Sequence, residues 1–238
     1  MSIATAEHPL KGQVITVDGP TASGKGTLAK RLAKRYRMKF LDTGCLYRAV
    51  AWLAISGGGN PSDEAAALAA ARHLAGGGVF DFRHKGNNVF GVWIDGREVT
   101  DDIRTPQVSA GASMVAAIPA VRTALLDVQK NFVAEWQPIY GVILDGRDTG
   151  ARIAPHAGLK LFLLADPAKR AERRFAEYAA AGKTLVEADV LRDLLARDER
   201  DLPNTLRTPD AHAIDATALG IEAVEAEAVR LASQAFGI

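Results

Sequence analysis

The first uninterrupted apolar run, residues 14–18, is β-branched and reads as a strand buried on both faces. Apolar positions then recur at helical spacing. Leu28 and Leu32, with their alanine neighbours, mark one face of a helix, while Lys30, Arg31, Lys34 and Arg35 mark the other. A second short strand is predicted over 38–41, ending at Asp42. Helices are predicted over 47–55 and 62–74, the latter with Ser62 or Asp63 as N-cap. Triple glycines at 57–59 and 76–78 stop them, either as plain helix ends or as hinges.

Between 79 and 99 the period changes to strict alternation, in runs over 79–83, 89–94 and 97–99. Lys85-Gly86-Asn87-Asn88 and Asp95-Gly96 separate them, and Asp-Gly between alternating runs predicts a hairpin. Helices follow over 105–117 and 119–135, the second with Pro119 in its first turn. Strands over 142–144 and 159–164 run into Asp145-Gly146-Arg147-Asp148 and Asp166-Pro167. A basic helix (168–180), a loop at 181–183, a charged helix (187–200), a short strand (213–215) and an amphipathic helix (221–236) complete the chain. This alternation predicts an α/β fold with a doubly wound parallel sheet, interrupted by a small antiparallel sheet.

Composition adds limits. In 238 residues, 48% are hydrophobic and 24% charged, which excludes disorder as the main state. Lys and Arg total 29 and Asp and Glu 28, so no global field draws the chain to nucleic acid or an anionic membrane; anions must be held locally. The single cysteine, Cys45, forms no intrachain disulfide, and no stretch is long and apolar enough to span a bilayer, so a cytoplasmic protein is expected. The five histidines and Cys45 show no ligand spacing, and Cys45 reads as a small packing residue. Trp52, Trp93 and Trp136 read as core or domain-interface aromatics.

The chemistry concentrates where the first strand meets the first helix, at Gly19-Pro20-Thr21-Ala22-Ser23-Gly24-Lys25-Gly26-Thr27. Glycines let successive backbone N–H groups turn inward, the helix start adds its own, and Lys25 supplies a charge for the β- and γ-phosphates. This is a P-loop in its proper context, and it predicts ATP binding by residues 19–27. The residue after the lysine is Gly26, which has no hydroxyl for a metal. Mg²⁺ is therefore expected with ATP, held through water and phosphates rather than by direct protein ligation. The Lys-Gly-Thr form resembles nucleoside-monophosphate kinases, and no Asn-Lys-x-Asp segment points to a GTPase.

Further ordered blocks extend the likeness over nearly the whole chain: Leu41-Asp42-Thr43-Gly44-x-x-Tyr47-Arg48, the alternating insert, Ile103-Arg104-Thr105, Ala112-Ser113-x-Val115-Ala116-Ala117-x-Pro119-x-Val121-Arg122, Asp145-Gly146-Arg147-Asp148-x-Gly150, and Arg197-Asp198-Glu199-Arg200-Asp201. Together they resemble the bacterial cytidylate kinases. The resemblance implies one P-loop kinase domain: a core of about 13–42, 139–170 and 205–238, an acceptor-binding insert of about 43–138, and a lid of about 171–190. It implies transfer of the γ-phosphoryl of ATP to CMP or dCMP, in a monomer with no nucleic-acid or membrane partner. Ser113, Arg122 and Asp148 would read the base, Arg197 and Asp201 the sugar, and Thr43, Tyr47, Arg48 and Arg147 would face the acceptor phosphate. Lys25, Arg147 and Arg174 would act on the transferring group, and Arg170 would flank the adenine. Arg173 reads equally as lid or as solvated basic surface.

The chain departs from this pattern after Asp201. Asn204 stands where the family usually has a further arginine, and Arg207 is a candidate to replace it from a shifted loop. Two other readings stay open: a P-loop kinase of another small acceptor such as UMP, and a nucleotide-binding regulatory protein with a degenerate acceptor site.

Overall fold

The computed structural model describes residues 8–76, 79–86, 89–180, 182 and 186–238. Its elements are β1 (Val14–Asp18), α1 (Lys25–Tyr36), β2 (Lys39–Asp42), α2 (Thr43–Ser56), α3 (Glu64–Ala75), β3 (Phe80–Gly86), β4 (Val89–Ile94), β5 (Arg97–Glu98), α4 (Pro106–Ala116), α5 (Pro119–Tyr140), β6 (Val142–Gly146), β7 (Leu159–Leu164), α6 (Pro167–Ala180), α7 (Glu187–Asp201), β8 (His212–Asp215) and α8 (Ile221–Phe236). Five strands make an all-parallel sheet in the order β2-β6-β1-β7-β8, and β3, β4 and β5 make the separate antiparallel sheet.

Strand alternation assigns the faces. Ile15, Val17, Ile143, Leu159, Leu161 and Leu163 pack with Leu28 and Leu32 of α1 and with Val224 and Leu231 of α8. Val14, Val142 and Leu144 turn the other way, to Val133 of α5 and Ile153. The sheet is thus covered on both sides, as a doubly wound fold requires. The basic face of α1 is partly spent on this packing, since Arg31 pairs with Glu225 (2.8 Å) and Glu222 (3.1 Å) of α8.

A second core joins α2, α3, α4 and the first half of α5 to Val92 and Ile94 of β4. This core is separate from that of the sheet, and α5 is shared: Val121 and Leu125 belong to the second core, Val133 to the sheet. The Asp95-Gly96 hairpin has both residues at positive φ (51° and 77°), the geometry that this dipeptide favours. Asp63 caps α3, accepting from Ala65 N and Ala66 N.

Three boundaries differ from expectation. Helix α2 starts at Thr43 rather than 47, because extended Asp42 ends β2 and the Thr43 hydroxyl donates to the Asp145 carbonyl (2.8 Å). Helix α5 runs to Tyr140 rather than 135 and contains Pro138 in its last turn, where Gly12 N and Gly141 N both donate to the Gln137 carbonyl. Residues 149–153 form one wide turn with i→i+5 character that no periodicity announced. The 57–59 glycines are a helix end, with Gly57 N donating to Leu53 O. Gly77, Gly78, Asn87, Asn88, Ala181 and Lys183 lie outside the described residues, so parts of the second triple glycine, of one hairpin turn and of the 181–183 loop do too. Trp52 and Trp136 pack against cores as expected, but Trp93 lies on the hairpin's outer side beneath Arg83, 4.9 Å from its ring centre. Among the described residues no single helix is long and apolar enough to cross a membrane; α4 and α5 pass that test only as a pair bent by 99°.

Candidate active site

The carboxyl ends of β1 and β6 face a cleft of about 290 Å³. On its donor side the P-loop leaves β1 through Gly19, at φ 146°, whose absent Cβ would stand 2.3 Å from the Leu163 carbonyl. Ala22 and Gly24 also take positive φ, 59° and 95°, and α1 begins at Lys25. Thr21, Ala22, Gly24, Lys25, Gly26 and Thr27 line the cleft, whereas Gly19, Pro20 and Ser23 form the loop behind it. The Lys25 ammonium lies 3.3 Å from the Pro20 carbonyl. Burial lowers its pKa, and the Arg147 charge adds to that.

Near the lysine lies Asp145, buried, with burial pushing its carboxyl up and the Lys25 charge pulling it back. Its Oδ1 has no hydrogen-bond partner among the described residues. Its Oδ2 explains Gly26: a Cβ there would stand only 2.9 Å away. A side chain at this position would have to displace a carboxylate from the neighbouring strand. Asp18, at the end of β1, is also buried and accepts from Thr149 N, Thr149 Oγ1 and Gly150 N at 2.9–3.0 Å. Desolvation raises its pKa to about 6 against these bonds.

The facing wall is built from six segments. Thr43, Tyr47 and Arg48 come from α2, Ser113 from α4, Arg122 from α5, Arg147 and Asp148 from the end of β6, Arg174 from α6, and Arg197 and Asp201 from α7; all line the same cleft. Ser113 Oγ is buried and has no partner among the described residues, an unpaired polar atom at the cleft wall. Arg122 donates to Asp148 and lies 5.6 Å from the Tyr47 ring centre. Arg48 donates to Ser109 (2.8 Å). Arg197 is crowded: burial and then the Arg147 and Arg48 charges hold its pKa down to about 10. Such an excess of buried positive charge is a site for an anion.

Arg147 spans the two halves. One Nη donates to Thr21 Oγ1 of the P-loop at 2.7 Å, and the same nitrogen lies 3.3 Å from Asp201 of α7.

Residues 15–234 match the family model described as cytidylate kinase. The chain belongs to the cytidylate kinase family. The cytidylate kinase of Bradyrhizobium diazoefficiens is 44% identical over 214 residues, covering 88% of this chain and 90% of its own length. That of Rhodospirillum rubrum is 43% identical over 215 residues (90% and 92%), and that of Pseudomonas aeruginosa 39% identical over 221 (91% and 93%).

Within this family frame, Arg170 is the expected site residue that stands apart. Its guanidinium is buried outside the cleft lining, donating to the Ala165 and Thr21 carbonyls (2.9 and 3.0 Å) and pairing with Asp198 (2.6 Å). It fastens α6 and α7 to the P-loop backbone. Arg173 likewise donates to the Ala216 and Leu219 carbonyls, a structural tie. Arg174 reaches the cleft and pairs with Glu177 at 2.8 Å. Asn204 lines the cleft, but Arg207 does not; it is exposed, with its guanidinium at the Ala211 carbonyl (3.4 Å).

Sequence reading gave no role to several cleft residues, Lys30, Asp42, Asp145 and Glu177, and left Arg200, like Arg173, between lid and solvated basic surface. Asp42 and Asp145 were legible as acids ending buried strands on the ligand-binding edge of a parallel sheet. Cys45 is buried beside them, its thiol pushed well up by burial, and fits a packing role. A larger cavity of about 1180 Å³ opens between the β3–β4 hairpin and the sheet edge. It is walled by aromatics such as Phe40, Phe82, Phe90 and Trp136 and includes none of the expected site residues.

Proposed function

We propose that this protein transfers the γ-phosphoryl group of ATP to CMP or dCMP, giving ADP and CDP or dCDP. Arg147 carries the reading: one guanidinium joins the P-loop to the Arg197–Asp201 pair, so donor and acceptor halves meet at a single cation. The P-loop amides and Lys25 would hold the ATP phosphates. The unpaired Ser113 hydroxyl, Arg122 and Asp148 suit a cytosine edge, whose exocyclic amine needs an acceptor and whose N3 and O2 need donors. Uracil presents the opposite pattern at two of these positions, so binding it would leave buried groups unpaired. Arg197 and Asp201 suit the sugar, and Tyr47, Arg48 and Arg147 the acceptor phosphate.

The phosphate of CMP is itself a competent nucleophile near neutral pH, so no general base is required. The chain's residues contribute position and charge, holding the phosphates in line and neutralising the transferring oxygens. The donor set also fits Mg²⁺ brought with ATP. Asp145 presents a buried, unpaired carboxylate oxygen beside Lys25, and Mg²⁺ commonly keeps its waters while bound through one or two carboxylates and substrate phosphates. Mg²⁺ would supply charge neutralisation between the phosphates. Among the described residues no group of three or more His, Cys, Asp or Glu side chains is placed to hold a metal ion. Helices α6 and α7, with Arg174 and Arg200 facing inward, would serve as the lid over ATP and exclude water. The same reading makes the enzyme a cytoplasmic monomer, and light scattering on a sizing column checks the monomer.

The test is ADP release measured with CMP, dCMP, UMP, dUMP, AMP and GMP. Turnover is expected with CMP and dCMP. Preference for UMP would keep the reaction class and overturn the acceptor. ATP binding with no turnover of any monophosphate would overturn the enzyme in favour of a regulator.

A further inference from the structure

Asp148 is held by two arginines, and only one of them belongs to the expected site. After β6 the wide turn 149–153 brings Ala151 N and Arg152 N to within 3.1 and 2.9 Å of the Asp148 carbonyl. The four-residue spacing then lays the Arg152 side chain back over its own turn, with Nε 2.9 Å from Asp148 Oδ2. Arg122 donates to the same oxygen from α5. Both guanidiniums meet the carboxylate at Oδ2. The Asp148 side chain is only 9% exposed, whereas Arg152 is 52% exposed and bridges it to solvent. A recess of about 250 Å³ joins Tyr47, Arg122, Asp148, Arg152 and Asn204.

At position 204 the same recess has an uncharged side chain. Asn204 directs its amide to the Ala116 carbonyl at 3.5 Å. Arg207, the sequence-based candidate for the missing cation, is occupied at Ala211.

We infer that Arg152 is a positioning and specificity-determining residue for the acceptor base, supplying Asp148 with a second guanidinium beside that of Arg122. The inference rests on the reading of this cleft as a CMP site. Its chemistry follows from the two states of a carboxyl group. Ionised, Asp148 only accepts, which suits the amine of cytosine; protonated, it gains a donor, which suits the carbonyl of uracil. Burial pushes the Asp148 carboxyl up, and Arg122 and Arg152 pull it back. The other groups facing it are the Tyr47 phenol of α2 and, more distantly, the Asp18 carboxylate of β1, and neither brings positive charge. Arg152 therefore joins Arg122 in keeping Asp148 ionised and fixed in rotation.

The experiment compares wild type with Arg152→Ala, Arg152→Lys and Arg207→Ala, by steady-state kinetics and by equilibrium binding of CMP. Arg152 is half-exposed, so folding should survive its loss, and thermal melts check this. Arg152→Ala should raise KM and Kd for CMP roughly ten- to hundredfold with kcat little changed, the effect of one charge-assisted hydrogen bond. It should lower the CMP-to-UMP ratio of kcat/KM and move the acid limb of the CMP profile to higher pH. Arg152→Lys should restore part of the affinity, and Arg207→Ala should change nothing. An Arg152→Ala protein with unchanged Kd for CMP and an unchanged CMP-to-UMP ratio overturns the inference, and a large effect of Arg207→Ala in its place would transfer the role. Failure of the underlying reading looks different: wild type itself would neither bind nor phosphorylate CMP.

Discussion

The donor and acceptor halves of the cleft handle charge in opposite ways. The donor half is mostly main chain: a loop with three positive-φ residues, one lysine, and a glycine whose side-chain space is taken by a buried carboxylate. The acceptor half is mostly side chain: Arg122 on Asp148, Arg152 on Asp148, Arg147 and Arg197 on Asp201. A cradle of amides is set once the backbone is set and needs one mobile charge to finish it. A cluster of guanidiniums without ligand must be kept from mutual repulsion, and shared carboxylates do that until an anion arrives. The difference predicts that donor-side changes act on rate, while acceptor-side changes spread over affinity and discrimination.

The sharpest break of that comparison is Lys25→Met. Lys25 is the sole cleft-facing cation within the P-loop, so its removal should lower kcat by about 10²–10³, the scale for losing one preorganised group that stabilises transition-state charge. KM for CMP should move little, because the arginines remain. A large rise in KM for CMP with kcat preserved would show that the two halves do not divide the work in this way.

This division also governs what the sequence could disclose. The donor half was legible from residues 14–36 alone, since a buried strand, glycine spacing and a lysine at the helix start lie consecutively along the chain. The doubly wound sheet was legible for the same reason, each strand being a short apolar run. The acceptor half gathers residues as far apart as Thr43 and Asp201, and spacing cannot join them; only the family resemblance named them. Arg152 escaped because its partner lies across an irregular turn that has no periodic signature, and Asp145 because a carboxylate's burial depends on strands β1 and β2 closing around it. Arg170 was named for the adenine by family resemblance, and in the structure its guanidinium meets the Thr21 carbonyl of the P-loop and Asp198. Sequence cannot tell a guanidinium that binds a ligand from one that binds the backbone holding the ligand.

A smaller effect is expected at Gly26. Gly26→Ala would put a methyl 2.9 Å from Asp145 Oδ2, forcing the carboxylate or the first turn of α1 to move. Overpacking of this kind costs about 1–3 kcal/mol. The expected result is roughly a tenfold loss in kcat, a rise in the Mg²⁺ needed for half-maximal rate, and an unaltered CMP-to-UMP ratio. Lost base discrimination would mean that the displacement crosses through Asp145 and Gly146 into the acceptor half. The same assay therefore measures how independent the halves are.

The smallest effect concerns Asp18, the one carboxylate that ties the halves together through backbone. It ends β1 and accepts from Thr149 and Gly150, just beyond Asp148. Its pKa, raised by burial from 3.8 to about 6, has consequences of opposite sign for stability and activity. The folded protein takes up this proton near pH 6 and the unfolded chain only near 3.8. The group's favourable contribution to stability is thus complete below about 3.8 and is lost as pH rises through about 6. Activity runs the other way, because a protonated carboxyl cannot accept from both backbone amides and Thr149, and the turn carrying Asp148 loosens. Asp18→Asn separates the two. The variant should gain stability relative to wild type between pH 4 and 7.5, measured by urea unfolding across that range. Its kcat/KM for CMP at pH 7.5 should fall only a few-fold, since one of the bonds becomes a donor facing a donor. Its acid limb should be shallower than that of wild type, leaving the titrations of Asp148 and of the CMP phosphate, the latter near pH 6. A stability difference that stays flat over this pH range would remove Asp18 as a buried ionised group. Identical acid limbs would leave it holding the turn without any influence on the acceptor.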